Sequence, residues 1–466
     1  MGGALAGQGG IVRRRAVEDK NLAMARQVAE KVRAAGGETY FVGGFVRDRL
    51  MGRPCKDVDI EVHGITPQAL RTLLNELGEC TAMGASFGVL GLKHYQLDIA
   101  MPRRETATGR GHRDFDIDVD PFIGTRQAAI RRDFTINALM ENVLTGEIVD
   151  HFGGQADLRD GVLRRVNDRS FGEDPLRVLR AAQFAARFGF RVEPETAALC
   201  AGMDLSALAR ERVAEELKKA LLKADRPSVF FECLAGMNQL RDWFPEVAAL
   251  RGVPQDPFWH PEGDVWNHTM QTLDAAAGLR PQAQEPLVFL LAALCHDLGK
   301  PDCTEVIDGR VRSLRHEVLG TAAARRLLER LTGETKLIRK VENLVLLHMR
   351  PNQLTADQAG DKAWMKLLDQ ALCPEDLLLL AEADRLGQLR TGEACAPLRQ
   401  RGAEMLALYR RRMAAPAVTG GDLRAAGFAP GPEMGKALAY AHRLQLAGVS
   451  REHALSQVIA WMRTET

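Results

Sequence analysis

Phe41-Val42-Gly43-Gly44-Phe45-Val46-Arg47-Asp48 and, nine residues after Asp48, Asp57-Val58-Asp59-Ile60-Glu61-Val62 decide how this chain is read. Thr39 to Val42 is a short buried-strand pattern that runs into a Gly-Gly bend, and a helix start follows. Glycines let backbone N–H groups approach a phosphate closely, and a helix N-terminus favours an anion. Gly-Gly bends are common, so this signal acquires meaning only from its neighbour. Positions i and i+2 of a strand point to one face, so Asp57 and Asp59 converge. Two carboxylates about 5–7 Å apart repel each other unless a cation lies between them. Mg2+ suits that place, because it prefers carboxylate oxygens together with substrate phosphates. Asp57 and Asp59 are the expected catalytic metal ligands, with Asp98 on a later strand a candidate third. The matching chemistry is in-line displacement at an α-phosphate, one metal activating the attacking hydroxyl and the other steadying pyrophosphate.

The chain around this stretch has 466 residues, 46% hydrophobic and 26% charged, enough for about three domains. Lys and Arg number 62 against 61 Asp and Glu, a net charge of +1, so nucleic-acid binding would need local basic surfaces. Eight cysteines (Cys55, Cys80, Cys200, Cys233, Cys295, Cys303, Cys373, Cys395) form no CxxC pair, which argues against a zinc knuckle or disulfide framework and suits a reducing cytoplasm. The N-terminus has no apolar leader core and no run of 18 apolar residues occurs, so a cytoplasmic protein with no membrane span is expected. Residues 22–35 read as a helix, Val58–Val62 as an edge or half-buried strand, and Val89–Leu92 with Gln96–Ala100 as a hairpin. Beyond about residue 173 strand signals nearly vanish. Residues 253–266 read as a connector, 103–114 and 415–422 as polar loops, with a boundary near Pro397 or Pro416.

Further motifs follow in order. Arg131 and Arg132 bring planar, fixed charge suited to triphosphate or ribose oxygens, and Asp133 can accept from a ribose 2′-OH. In Glu173-Asp174-Pro175-Leu176-Arg177, Asp174 and Arg177 are three apart and share a helix face. A carboxylate accepts from an exocyclic amino group and a guanidinium donates to ring acceptors, which fits cytosine and adenine. Uracil and guanine present a carbonyl where the acid needs a donor, a difference of about 1–3 kcal/mol per contact.

Taken together, GGFVRD, DVDIEVHG, Ile130–Ala138 (IRRDFTINA), Asp150–Leu158 (DHFGGQADL), Glu173–Phe184 (EDPLRVLRAAQF) and Glu211–Leu217 (ERVAEEL) resemble the class II tRNA nucleotidyltransferases, the CCA-adding enzymes, and their relatives the bacterial poly(A) polymerases. The resemblance implies nucleotide-binding roles for Gly44, Arg47, Arg132, Asp133, Asp174, Arg177 and Arg180, and base selection by Asp174 and Arg177 with Glu173 bracing Arg177. It implies CTP, ATP and the tRNA acceptor end as partners and Mg2+ as cofactor. Arg180, Arg187 and the loop at 103–113 are candidates for the acceptor-stem backbone.

The second half holds His268, His296-Asp297, His316, His348 and Asp384. His296-Asp297 closes an apolar helical run and precedes Leu298-Gly299-Lys300. Mixed imidazole and carboxylate ligands on several helices make a metal site in a bundle. HDLGK with these partners resembles the HD phosphohydrolase superfamily, His268, His296, Asp297 and Asp384 matching its four defining positions and His316 and His348 the extra ligands of two-metal members. Such a site suits Ni2+, Mn2+, Mg2+ or iron rather than structural zinc. Fused to this head, and with HPEGDVWNHT and EADRLG, it resembles CCA enzymes of the enterobacterial type, whose HD domain hydrolyses 2′,3′-cyclic phosphates and 2′-nucleotides.

The expected architecture is α+β: an N-terminal helical extension (1–37), a polymerase-beta-like nucleotidyltransferase head with a mixed sheet (38–165), a helical neck and body (166–255), an HD domain (256–400) and a helical tail (401–466). Poly(A) synthesis is the nearest alternative activity. The stretch at 84–88 lacks the G-R-R-F pattern of those enzymes, and balanced charge favours tRNA. A CC-only or A-only enzyme, or an HD nucleotide hydrolase with a non-catalytic head, also stays open.

Overall fold

The computed structural model describes residues 4–55, 57–82, 89–107, 115–388 and 392–465. The chain separates into two compact units, 1–217 with 229–239 and 218–228 with 240–466.

The first unit opens with α1 (Ala4–Ala34), β1 (Glu38–Val42), α2 (Gly44–Leu50), β2 (Val58–His63), α3 (Pro67–Leu77), β3 (Cys80–Ala82), β4 (Leu90–Leu92) and β5 (Leu97–Ala100). It continues through β6 (Arg103–Ala107), β7 (Phe115–Val119), α4 (Gly124–Ile130), β8 (Met140–Asn142), β9 (Ile148–Val149) and α5 (Gly154–Asp160). Seven strands make one mixed sheet in the order β3-β4-β5-β2-β1-β8-β9. Of the two readings of Val58–Val62, edge or half-buried, the edge position is excluded: β2 is the centre of the sheet. Its alternation arises because Val58, Ile60 and Val62 enter the core against α1 and α3 while Asp59, Glu61 and His63 take the other face, where Glu61 and His63 are also buried. The predicted loop at 103–114 is strand over β6, which pairs with β7, and 108–114 lies outside the described residues. So does the stretch at 84–88.

A short parallel pair, β10 (Val162–Leu163) with β11 (Arg191–Val192), ties down the helices α6 (Asp168–Gly172), α7 (Leu176–Phe188) and α8 (Pro194–Ala201). Gly154 sits where a Cβ would lie 2.3 Å from the Thr135 carbonyl oxygen, so α5 approaches the turn after α4 as no other residue would allow. α9 (Arg210–Lys223) and α10 (Ser228–Gly236) follow.

The second unit is helical: α11 (Pro245–Ala248), α12 (Val265–Leu279), α13 (Pro286–Cys295), α14 (His316–Leu331), α15 (Thr335–Leu347), α16 (Met349–Ala356), α17 (Asp361–Gln370), α18 (Pro374–Gly387) and α19 (Ala396–Arg412). Val288 through Cys295 of α13 are all buried, as a helix apolar on every side must be. Between α13 and α14 stands a hairpin the helical reading missed, β12 (Thr304–Ile307) and β13 (Arg310–Ser313). Its two-residue turn, Asp308-Gly309, has φ of 51° and 73°, the primed turn that Asp-Gly favours. Pro397 lies in the first turn of α19, which packs against α16, α17 and α18. The terminal α20 (Gly420–Ala425), α21 (Pro432–Leu446) and α22 (Arg451–Glu465) share their own apolar core. Within the stretch predicted as a loop at 415–422, Thr419 and Asp422 form a reciprocal cap that opens α20. No helix among the described residues is long and apolar enough to cross a membrane.

Candidate functional site

In the first unit the parallel pairing of β2 with β5 sets Asp59 beside Asp98 on the face opposite the core, and exposed Asp57 immediately precedes β2. Asp59 is pushed up to about 6, first by burial and then by the charge of Asp98, with Arg132 opposing and Asp57 adding. Crowded hard oxygen donors of this kind fit Mg2+. The bend lies at the same place. Gly43 has φ 66°, and a Cβ there would sit 3.1 Å from Arg132 Nη1. The positive φ favours glycine, and a Cβ would push that guanidinium back by a few tenths of an ångström.

Glu61, unassigned from sequence although it continues the D-x-D alternation, holds this face together. Its side chain is 1% exposed and meets His63 Nε2 at 3.0 Å, Arg132 Nη2 at 3.4 Å and Arg131 Nη2 at 3.5 Å. Burial alone would raise its pKa, but the His63 hydrogen bond and the charges of Arg132 and Arg131 hold it at about 2.

Arg177 on α7 donates to the carbonyl oxygens of Ser170 (2.7 Å) and Arg131 (2.5 Å), which latches the start of α7 to the arginine pair. Asp174 accepts from the Leu176 N–H and from Arg212 Nη2 at 2.9 Å, a partner supplied by the ERV motif. Glu173 pairs with Arg169 at 3.6 Å, one helical turn away, while the two carbonyl oxygens hold Arg177. Asp133 is buried and already engaged, accepting from Asn137 Nδ2 (2.9 Å), its own neighbour Phe134 N–H (2.8 Å) and Arg180 Nε (2.7 Å). Here it anchors Arg180, which also lies over the Phe184 ring. Arg47 is 4% exposed, bonds Asp48 and Asn137 and lies over the Phe184 and Phe188 rings. It ties α2 to its surroundings from the interior instead of facing outward.

The second unit gathers all six residues picked from sequence. His268 Nε2 lies 3.2 Å from His296 Nε2 and 3.0 Å from Asp384 Oδ1. Asp297 spans the cluster, Oδ2 3.2 Å from His296 Nε2 and Oδ1 3.3 Å from His316 Nε2, and His348 Nε2 is 3.4 Å from that of His316. Two buried ligand groups result, His268–His296–Asp297 and Asp297–His316–His348, sharing one carboxylate. Burial would raise the carboxyls of Asp297 and Asp384, but surrounding imidazoles, and Lys300 for Asp297, hold both below the usual range. Burial, then His296 and His316, push His348 down to about 3, leaving the neutral imidazole that ligates a cation. This nitrogen-and-oxygen donor set fits Mn2+, Ni2+ or iron.

Two glycines make the cluster possible. A Cβ on Gly299 would lie 2.1 Å from the His316 carbonyl oxygen, and one on Gly387 2.1 Å from Thr272 Oγ1. The first brings α14 onto the end of α13, the second α18 onto α12. Sequence reasoning left Lys300 without a role, and it pairs its charge with Asp297 Oδ2 and donates to Gln255 Oε1, both at 2.7 Å. It also left out Glu262, which stands 2.8 Å behind His268 Nδ1. The predicted connector thus packs on the site through Gln255 and Glu262.

A carboxylate-bearing mixed-sheet head and a helical histidine–aspartate centre define a nucleotidyltransferase joined to an HD domain. Residues 39–164 match the Poly A polymerase head domain and 265–388 the HD domain. The Multifunctional CCA protein of Xanthomonas campestris pv. campestris is 37% identical over 431 residues, covering 90% of this chain and 99% of that protein, and that of Stenotrophomonas maltophilia is 38% identical over 415 residues, covering 86% and 97%. The chain belongs to the multifunctional CCA protein family, and it is a CCA tRNA nucleotidyltransferase. Its fold is shared with the Bacillus stearothermophilus CCA-adding enzyme in complex with CTP (TM-score 0.65, 22% identity, 95% of this chain and 98% of that one). It is shared also with the Thermotoga maritima CCA-adding enzyme complexed with tRNA (TM-score 0.60, 21% identity, 95% and 96%).

Proposed function

We propose that this chain adds C, C and A in turn to the tRNA 3′ end in the cytoplasm, drawing on CTP and ATP without a nucleic-acid template. The observation that carries the reading is the meeting of Asp59, Asp98, Arg132 and the Gly43 bend on one face of the sheet. Asp57 and Asp59, with Asp98, would hold Mg2+, which when bound supplies the charge that eases deprotonation of the attacking hydroxyl and departure of pyrophosphate. Arg131 and Arg132, braced by Glu61, donate to triphosphate and ribose oxygens. Asp174 and Arg177, steadied by Arg212 and by two carbonyls, offer the acceptor and donor that cytosine and adenine share. Residues 38–165 act as head, 166–255 as neck and body, 256–400 as HD domain and 401–466 as tail.

Purified protein is expected to extend tRNA lacking CCA and tRNA lacking only the final A, and to leave oligo(A) alone. Extension of oligo(A) in place of tRNA would make it a poly(A) polymerase, and extension of just one tRNA a CC or A specialist. Full activity in Asp57→Ala would remove the metal assignment.

The HD centre supports a second activity, hydrolysis of phosphoesters including 2′,3′-cyclic phosphates and 2′-nucleotides. Its support is the convergence of four imidazole Nε2 atoms on Asp297 and Asp384. A divalent transition metal such as Ni2+ or Mn2+ held there would supply a Lewis acid for attack by water. His296→Ala is expected to abolish hydrolysis while nucleotide addition persists, and undiminished hydrolysis would dismiss the reading.

A further inference from the structure

Three of the four site imidazoles are held alike. His296, His316 and His348 place Nδ1 at 2.8, 2.8 and 2.7 Å from the carbonyl oxygens of Ala293, Ser313 and Val345, each three residues upstream on its own segment. His268 differs. Its Nδ1 lies 2.8 Å from Glu262 Oε1, on a side chain 0% exposed, and His260 Nδ1 reaches that same oxygen at 2.8 Å. A carboxylate behind a ligating imidazole fixes the ring and raises its basicity more than a neutral carbonyl does, because it stabilises positive charge shared onto the ring. The two halves of the centre are therefore unequal. The His268 half combines a carboxylate-backed imidazole with His296, Asp384 and Asp297 Oδ2, whereas the His316 half has two carbonyl-backed imidazoles and Asp297 Oδ1.

We propose that Glu262 is a positioning residue that makes the His268 half of the HD centre the tighter of two unequal divalent-metal positions. The proposal rests on the two-ion reading of that centre. It gives a role to the His260-Pro261-Glu262 segment, which the nucleotidyl-transfer chemistry leaves unused. His260 takes the other side of the carboxylate, and its ring meets that of His268 edge-on with centroids 4.8 Å apart, so the glutamate is clamped between two imidazoles. His260, Glu262 and His268 also lie close enough to suggest an ion of their own. A hydrogen bond accounts for the His260 side, whose Nδ1 meets Glu262 Oε1 at 2.8 Å, while His268 Nδ1 meets the same oxygen as an ion pair and its Nε2 already faces Asp384 and His296.

The test uses the full chain carrying Asp57→Asn and Asp59→Asn, so that the head takes up no metal, stripped with chelator and titrated calorimetrically with Mn2+ and with Ni2+. Two stepwise affinities are expected. Glu262→Gln should weaken the tighter step about 10–100-fold and leave the weaker one, whereas His316→Ala should remove the weaker step and keep the tighter. Glu262→Asp, which keeps the charge but shortens the reach, should fall between, and metal-free circular dichroism spectra of all variants should superpose on the parent. Unchanged steps in Glu262→Gln, equal weakening of both steps, or a third equivalent of ion in the parent would overturn the proposal. A parent that binds fewer than two ions would overturn the two-ion reading beneath it.

Discussion

Replacing Glu61 by Gln keeps the shape of a buried side chain and removes the charge that two guanidinium groups and the His63 ring face. Breaking a buried ion pair from one side costs about 3–5 kcal/mol when the partners stay buried and dry. Here the guanidinium contacts are long, 3.4 and 3.5 Å, and the Arg132 and Arg131 side chains keep 18% and 22% of their exposure, so water can reach them. That lowers the expected destabilisation to about 2–3 kcal/mol, a fall of roughly 5–10 °C in the unfolding temperature of a unit this size. Arg132 is also what the Gly43 bend meets, so loosening it should weaken capture of the triphosphate. At about 1.4 kcal/mol per tenfold, losing one charge-assisted anchor should lower kcat/KM for CTP and ATP about 10–100-fold, measured well below the variant's unfolding temperature. Calorimetric unfolding and steady-state incorporation on tRNA read the two effects. Wild-type unfolding together with wild-type kcat/KM would refute the claim that Glu61 organises this face.

Asp98→Asn should leave the fold intact, because the side chain is exposed, yet cut nucleotide addition about 100-fold and shift its Mg2+ dependence to higher concentration. An unchanged Mg2+ titration would exclude Asp98 from the metal group. Gly299→Ala drives a Cβ to 2.1 Å from the His316 carbonyl oxygen and 2.5 Å from the Gly320 nitrogen, both backbone, so α14 must move. The expected outcome is about 1–3 kcal/mol of destabilisation with phosphoester hydrolysis lost, since His316 stands only 3.3 Å from Asp297. Asp150 accepts from the N–H groups of Gly154 (2.8 Å) and Gln155 (2.9 Å) at the start of α5. Burial raises its pKa, but these donors outweigh burial and hold it below the usual 3.8. Its contribution is therefore present above that pH and disappears as acid protonates it in the folded state. Denaturant unfolding should show Asp150→Ala about 1 kcal/mol less stable at pH 7, with the gap closing below pH 4.

Much of the site was legible in the sequence because its groups lie in short segments with local meaning. The D-x-D alternation drew attention to Asp59, which lies on β2 with Asp57 just before it, and the apolar run ending in His296-Asp297 marked a buried helix end. The same alternation was misread for position. A strand at the centre of a sheet looks like an edge strand when one of its faces is a polar, charge-paired site, and Glu61 and His63 are polar yet buried. The hairpin at Thr304–Ser313 was signalled by Asp308-Gly309, but the surrounding helical composition outweighed it.

The sequence alone determined which chemical groups the chain carries: hard acids beside a glycine bend, an acid and an arginine three residues apart, and histidines with aspartates on apolar helices. Those are properties of residue type and near spacing. Tertiary structure decided which groups are partners. Asp98 reaches Asp59 through strand register, Arg212 reaches Asp174 across 38 positions, and Asp384 reaches His268 because Gly387 lets two helices touch. Arg47 and Asp133 became interior anchors for the same reason. Backbone packing settles which polar groups lose their water, and no local pattern records the neighbour that replaces it.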